Sequence, residues 1–278
     1  KMSTTISAAD VKKLREMTGA GMMDCKKALT EAEGDFDKAI EELRKKGQKL
    51  SAKRADRDAK EGAVIALVAE DGKTGVIVRL SCETDFVAKN EDFVALAKEF
   101  GAIALEKQPK TLQEMLELPY QNITIGEKIT EQVGVIGEKV DLGGYEILHA
   151  PFIAPYIHMG NRAAVLVGLS SENPDNLEAG RDVAMQVAAM RPIAVDQGDV
   201  DATIIEKEIE IGKEVARQEG KPEAMLEKIA TGKLNKFFKE STLLNQAFVK
   251  DNKMSVKEYL NSVDKGLTVT AFKHIELG

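Results

Sequence analysis

The side chains able to do covalent chemistry are scattered along this chain, and their spacing builds no reactive centre. His149, His158 and His274 form no HExxH or related ligand cluster, and Cys25 and Cys82 are too far apart for a metal-binding pair. No Ser/His/Asp order with a nucleophile elbow, no P-loop and no GxGxxG after a strand is present. Paired carboxylates such as Glu206 and Glu208 fall on helical faces expected to be solvated. The informative stretch is residues 80–90, L-S-C-E-T-D-F-V-A-K-N. It connects an expected β-hairpin to an expected amphipathic helix, and a connector of that kind presents side chains to something outside the fold. Asp85 and Phe86 stand there between two hydrogen-bonding residues, Thr84 and Lys89. An aromatic ring normally buries its large area in a core or an interface. Phe86 is therefore either a cap on the core or, with Asp85, a probe for a partner. Residue chemistry alone gives a multidomain binding protein that is not obviously an enzyme.

The bulk composition narrows the partners. In 278 residues, 43% are hydrophobic and 31% charged, the balance of an ordinary soluble protein with room for two or three small domains. A formal net charge of −7 disfavours a broad nucleic-acid footprint. No apolar run approaches the roughly 20 residues of a membrane span, and no signal-peptide pattern opens the chain. Lys1 before Met2 reads as a processing remnant. Two distant cysteines fit a reducing, cytoplasmic setting.

Three helices are expected in residues 7–46. Val11, Leu14 and Met17 mark the first, Cys25, Ala28, Leu29 and Ala32 the second, and Phe36, Ala39, Ile40 and Leu43, after the N-cap Asp35, the third. A unit of about 40 residues is near the lower limit for independent folding and suits a docking module, 1–46. Met22 and Met23 either show one soft side chain to a partner or are both buried in a local turn. Residues 44–61 carry eight Lys or Arg among 18 positions and little apolar periodicity. Residues 47–61 are accordingly expected to be a basic linker or solvated helix extension, with a nucleic-acid arm as the alternative.

From Gly62 the period becomes two. Apolar runs at 63–69 and 75–80 flank Asp71-Gly72, a strong hairpin signal. A helix follows with Phe93, Leu96, Ala97, Phe100 and Ala104 on one face, and Thr111/Glu114 and Thr124/Glu127 have capping-box spacing. The order then recurs. Residues 145–157 are an expected strand region interrupted by Pro151 and Pro155, 162–169 a strong strand and 175–190 a helix. V-I-V-R-L-S-C-E and A-V-L-V-G-L-S-S-E both end in Leu-Ser-x-Glu before a connector. This indicates a duplicated core, 62–144 and 145–278. The second copy has Asn173-Pro174-Asp175 where the first has Thr84-Asp85-Phe86, so the scaffold does not require an aromatic there. Ile204, Glu208, Ile211 and Val215 space 4-3-4 and, with Leu226, Ile229, Leu234 and Phe237 beyond Gly220-Lys221-Pro222, indicate an antiparallel helical hairpin at about 201–240. A last strand at 267–277 is expected to close the second sheet. The fold class is α+β: an N-terminal three-helix module, a duplicated core of two small antiparallel sheets with flanking helices, and the inserted hairpin.

Residues 14–29, L-R-E-M-T-G-A-G-M-M-D-C-K-K-A-L, together with 82–90, C-E-T-D-F-V-A-K-N, closely resemble the bacterial elongation factor Ts family, and the likeness in element order covers nearly the whole chain. The resemblance implies a guanine-nucleotide exchange factor, active in translation elongation, that promotes GDP release from the GTPase elongation factor Tu, binds its GDP-bound and nucleotide-free forms, and has no catalytic centre or cofactor. It implies that Thr84, Asp85, Phe86 and Val87 enter the GTPase near its Mg²⁺ site, the Phe86 ring acting as a wedge. Arg15, Met22, Met23 and Lys26 would contact the GTPase from the first module. Ile136-Gly137, His158 and Phe248-Val249 would add core contacts. Met159 separates His158 from Gly160, and Lys250 stands where the family pattern has an apolar residue. The alternative reading is an RNA- or ribosome-associated binding protein. Direct nucleic-acid binding and membrane association are not expected.

Overall fold

A computed structural model describes residues 6–278; the Lys1-Met2 start lies outside the described residues. The described residues form two compact units, one of those up to 65 with 78–146 and 275–278, the other of residues 66–77 with 147–274. Among the described residues no helix is long and apolar enough to cross a membrane.

The first unit begins with α1 (Ala8–Thr18), α2 (Met22–Glu31) and α3 (Phe36–Arg54). Ser7 and Asp10 form a capping box at the start of α1, and Gly19, at φ 70°, ends it. Asp35 caps α3 by accepting from Lys38 N at 3.1 Å. The three helices enclose Val11, Leu14, Cys25, Ala28, Leu29 and Ala39, while Met17 points out at 56% exposure rather than inward as its spacing suggests.

Where composition suggests a linker from residue 47, α3 continues to Arg54. It packs on α7 (Ile125–Ile136), and the reason is a glycine. A β-carbon on Gly47 would lie 2.8 Å from the carbonyl oxygen of Thr130, so the two backbones approach closer than any side chain allows. Val135 of α7 also packs against the three-helix core, so that core is completed from outside the module.

β1 (Glu61–Val68) and β2 (Thr74–Cys82) follow. Their turn is closed by Ala69 N donating to Thr74 O at 2.9 Å, with Gly72 at φ 72°. The helical turn α4 (Asp85–Ala88) leads into α5 (Glu91–Lys107), which buries Phe93, Leu96, Ala97, Phe100 and Ala104 as its spacing requires. Beyond α6 (Leu112–Glu117) and the two-residue strands β3 (Pro119–Tyr120) and β4 (Ile123–Thr124), α7 opens with the Thr124/Glu127 capping box and stops at Gly137, φ 81°. At α6 the box is shifted: Glu114 accepts from Lys110 N, not from the N-cap Thr111. β5 (Val140–His149) then pairs beside β2, giving the order β1-β2-β5.

The second unit repeats this scheme. β6 (Phe152–His158) pairs antiparallel with β7 (Ala163–Leu169), and a 3₁₀ turn capped by Asn173 leads into α8 (Leu177–Met190). The expected strand region breaks at Ala150-Pro151, whereas Pro155 stays in register opposite Leu166. Pro155 is tolerated because β6 is an edge strand in the order β10-β7-β6, where one N–H can be spared. α9 (Ala202–Gln218) and α10 (Glu223–Ser241) form the hairpin. Its seam is not the 4-3-4 stripe. Ile204, Ile211 and Val215 are exposed, and the buried contacts are Gly212, Ala216, Leu226 and Ala230. Gly212 sits against the Ala230 backbone, so α9 turns its small-residue face inward. β8 (Ala247–Phe248), β9 (Asp251–Ser255) and α11 (Val256–Val263) precede β10 (Val269–Glu276), which closes the second sheet. The core here gathers Val165, Val167, Leu169, Val183, Val187 and Leu260.

Candidate functional site

Phe86 is 84% exposed, which removes the core-cap reading of its ring. Its backbone is fixed all the same. Thr84 Oγ1 accepts from Val87 N at 3.4 Å, and Ala88 N donates to Thr84 O at 3.2 Å, folding 84–88 into one helical turn. Glu138, just after α7, accepts three hydrogen bonds from the connector. Glu83 N and Thr84 N donate to Oε2 at 3.1 and 3.0 Å, and Thr84 Oγ1 donates to Oε1 at 2.7 Å. Glu83 in turn accepts from Lys139 N at 2.6 Å, Arg54 Nη1 at 2.7 Å and Arg57 Nη1 at 3.1 Å. Burial acts to raise the Glu83 pKa, but the Lys139 N–H and the two guanidinium groups outweigh it and bring the carboxyl below its ordinary range. Lys89 Nζ donates to Asp85 Oδ2 at 2.6 Å, and that bond holds the Asp85 carboxyl below its ordinary range. The Asp85 charge is present, exposed and pointed by its partner one turn on.

Beside Phe86 runs a groove of about 590 Å³, with Met17, Val87, Phe93, Val135 and Ile136 along its apolar part and Glu16, Asp92, Lys128 and Gln132 among its polar residues. The end of α1, the α4–α5 turn and α7 each supply one wall. Phe86, Val87 and Ile136 are thus brought together. Gly137, the αL cap of α7, adjoins them. Met17 and Val135 belong to the same surface, and Glu138 braces the connector behind it; all three escape sequence reading. Met17 sits at an apolar helical position, and the hydrogen bonds of Glu138 cross 54 residues without a local signature.

On the three-helix module Arg15, Met22, Met23 and Lys26 are all exposed, Met23 at 77%. Neither reading of the methionine pair holds fully, because both side chains are outward on the first turn of α2, which begins at Gly21 with no side-chain cap. In the second unit His158 Nδ1 is 2.9 Å from the hydroxyl of Tyr156, and Met159 and Asn161 take positive φ in the turn that follows. Phe248 is not a surface residue. It is 3% exposed and stacks on Tyr259 at 4.0 Å between centroids, because the neighbouring apolar core closes over it. Val249, 45% exposed, is the member of that pair open to a partner, and its N–H is held by Gln186 Oε1 at 2.8 Å. Lys250 pairs with Asp182, which also accepts from the Tyr259 hydroxyl at 2.6 Å.

Burial, with Glu138 and Glu61 nearby, pushes the Cys82 thiol up to about 12, and burial raises that of Cys25. Both stay protonated at neutral pH, so neither has the character of a nucleophile. Among the described residues no group of three or more His, Cys, Asp or Glu side chains is placed to hold a metal ion. What the surface can do is bind: an exposed ring and a charged carboxylate on a braced turn beside an apolar groove.

The sequence pattern of the family described as Elongation factor TS matches residues 83–278. Elongation factor Ts of Christiangramia forsetii is 57% identical over 273 residues, covering 98% of this chain and 99% of that protein. Elongation factor Ts of Amoebophilus asiaticus is 54% identical over 274 residues, with 98% and 99% covered. That of Prosthecochloris aestuarii is 44% identical over 284 residues, again with 98% and 99% covered. With identity of this order running end to end through both the braced connector and the second half, the chain belongs to the elongation factor Ts family.

Proposed function

We propose that this translation elongation factor is the cytoplasmic guanine-nucleotide exchange factor of the GTPase elongation factor Tu, without catalytic chemistry of its own. The observation that carries the reading is the 84% exposure of Phe86 on a turn whose Glu83, Thr84, Val87 and Ala88 N–H groups are held. A large ring kept in water on a rigid support is a preorganised anchor, since little further ordering is needed when it enters a pocket. Met17, Val135 and Ile136 beside it would receive apolar side chains of the GTPase, and Arg15, Met22, Met23 and Lys26 would extend the contact along the first module. His158 and Val249 would add contacts from the second half.

Nucleotide affinity in a GTPase rests on a phosphate cradle and Mg²⁺. A protein that binds the Mg²⁺-poor conformation more tightly lowers nucleotide affinity by the factor by which nucleotide lowers its own. Each tenfold requires about 1.4 kcal/mol. A buried aromatic anchor supplies about 2 kcal/mol, so Phe86 accounts for only one to two decades and the coupling must be spread over the separated contacts. Arg54 and Arg57 are engaged by Glu83, which takes support from an RNA-binding role for the basic stretch.

Release of a fluorescent GDP from elongation factor Tu, followed by stopped flow, tests this. Phe86→Ala should slow release by about 10- to 30-fold, as loss of one anchor demands. Its thermal stability should change by less than about 1 kcal/mol, against about 3–5 for a core Phe. Failure of the unaltered protein to accelerate GDP release would remove the proposal.

A further inference from the structure

Two carboxylates, 55 residues apart in sequence, close a clasp around the connector that carries Phe86. Glu138 takes the N–H groups of Glu83 and Thr84 and the Thr84 hydroxyl. Glu83 points the other way and takes Arg54, Arg57 and the N–H of Lys139. Lys139 Nζ then reaches back to the carbonyl oxygens of Ala55 and Arg57, at 2.7 and 2.9 Å. Three segments are joined: the C-terminal end of α3, the Thr84 turn, and the residues after Gly137. Buried or half-buried carboxylates with this many donors are ordinarily either structural pins or parts of a binding site. Here neither lines the groove, and the turn they hold carries the exposed ring of Phe86.

We propose that Glu138, backed by Glu83 and its arginines, is a positioning residue for nucleotide exchange: it fixes the direction in which Phe86 leaves the fold. The clasp also gives the basic stretch after α3 a role. Arg54 and Arg57 neutralise Glu83 so that its carboxylate can sit 2.6 Å from the Lys139 amide without leaving uncompensated charge near Glu138. The same bonds bind Ile136-Gly137 and the Thr84 turn into one piece, since Glu138 directly follows the αL cap. A ring on a loose turn would have to be ordered at each encounter, and that entropic cost would appear in the exchange step. Cys82 adds a weak fourth tie, its thiol donating to Thr84 O at 3.2 Å.

The inference rests on the exchange role proposed above, and one of its readouts does not. The chain has no tryptophan, so Phe86→Trp places a single indole reporter on the turn. In the free protein, Glu138→Ala in that background should lower the fluorescence anisotropy of the indole and increase its fast motion, while far-ultraviolet circular dichroism is kept. Glu138→Gln should restore most of the order, because its oxygen can accept from the backbone N–H groups and its amide can donate to Thr84 Oγ1. Arg57→Ala, at an exposed and less consequential tie, gives a second and milder perturbation should Glu138→Ala fold poorly. In stopped-flow GDP release from elongation factor Tu, Glu138→Ala should slow exchange several-fold in the unaltered background and add almost nothing to Phe86→Ala. An indole equally ordered with and without the Glu138 carboxyl would overturn the proposal, as would Glu138 and Phe86 effects that multiply independently. If the parent protein itself leaves GDP release unchanged, the exchange role fails while the anisotropy result still decides the clasp.

Discussion

Gly47 on α3 and Gly134 on α7 meet backbone to backbone: a β-carbon built on Gly134 would lie 2.9 Å from the Cα of Gly47. No flexible side-chain end is available to yield at that crossing, so any larger residue must push the helices apart. The contact is what ties the lysine-rich end of α3 to the first half of the core, with Arg44 Nε bonded to Glu131 Oε1 at 2.8 Å alongside.

Gly47→Ala and Gly134→Ala should each destabilise the protein by about 1–3 kcal/mol, the usual cost of overpacking. Gly232→Ala serves as the opposite case. It lies in α10 with nothing within 4 Å of a built β-carbon, so helix propensity should raise stability by about 0.5–1 kcal/mol. Urea unfolding midpoints of the three variants check the order. Equal and small effects at Gly47 and Gly232 would mean that α3 and α7 are not in firm contact.

The Glu83 carboxyl predicts a pH dependence of stability. Its folded pKa is lowered from 4.5 despite burial, by the Lys139 N–H, Arg54 and Arg57. A depressed acid contributes stability that is fully present above its unfolded pKa of 4.5 and is lost as the pH falls through the lower folded value. Asp10 and Asp35 at helix starts, lowered by bonds from Ser7 and from the Lys38 N–H, act in the same direction. Glu83→Gln should therefore be less stable than the parent near pH 7, and the gap should narrow towards about pH 3. Denaturant titrations of both proteins across that window give the answer, and a gap independent of pH would rule out Glu83 as a source.

The helical hairpin should be removable. Its buried residues Gly212, Ala216, Leu226 and Ala230 lie along its own seam, and Lys213–Glu227 at 2.8 Å and Arg217–Glu223 at 3.3 Å link the same two helices. Replacing residues 205–235 by a short loop should keep the sheet signal in circular dichroism and a cooperative melt. Loss of that signal would assign the hairpin to the core.

Much of this was legible in the sequence where one residue type has one local meaning. Asp71-Gly72 closes a hairpin, Asp35 and Thr124 cap helices, and the Phe93 to Ala104 spacing falls on one buried face. Misreadings arise where meaning depends on a distant surface. Gly47 amid lysines has the composition of a linker until Gly134 is opposite it. Met17 keeps the spacing of a core residue, yet the helices it would face leave it beside the groove. Ile204, Ile211 and Val215 obey coiled-coil spacing, but Gly212 admits a closer seam on another face. Phe248 shares a short surface-like segment with Val249 and is drawn inward by Tyr259. The candidate site was legible at Phe86 because the second copy lacks the ring, and illegible at Glu138, whose partners are distant in the chain.

The duplicated halves solve the same problem of starting a helix after a central strand with different caps, Thr84 in one and Asn173 in the other. Each cap closes its turn by accepting a backbone N–H, and neither needs the identity of the next two side chains to do so. The side chains at those two positions are therefore not committed to the cap in either half. The two halves accordingly carry different residues after the cap, Asp85-Phe86 in one and Pro174-Asp175 in the other.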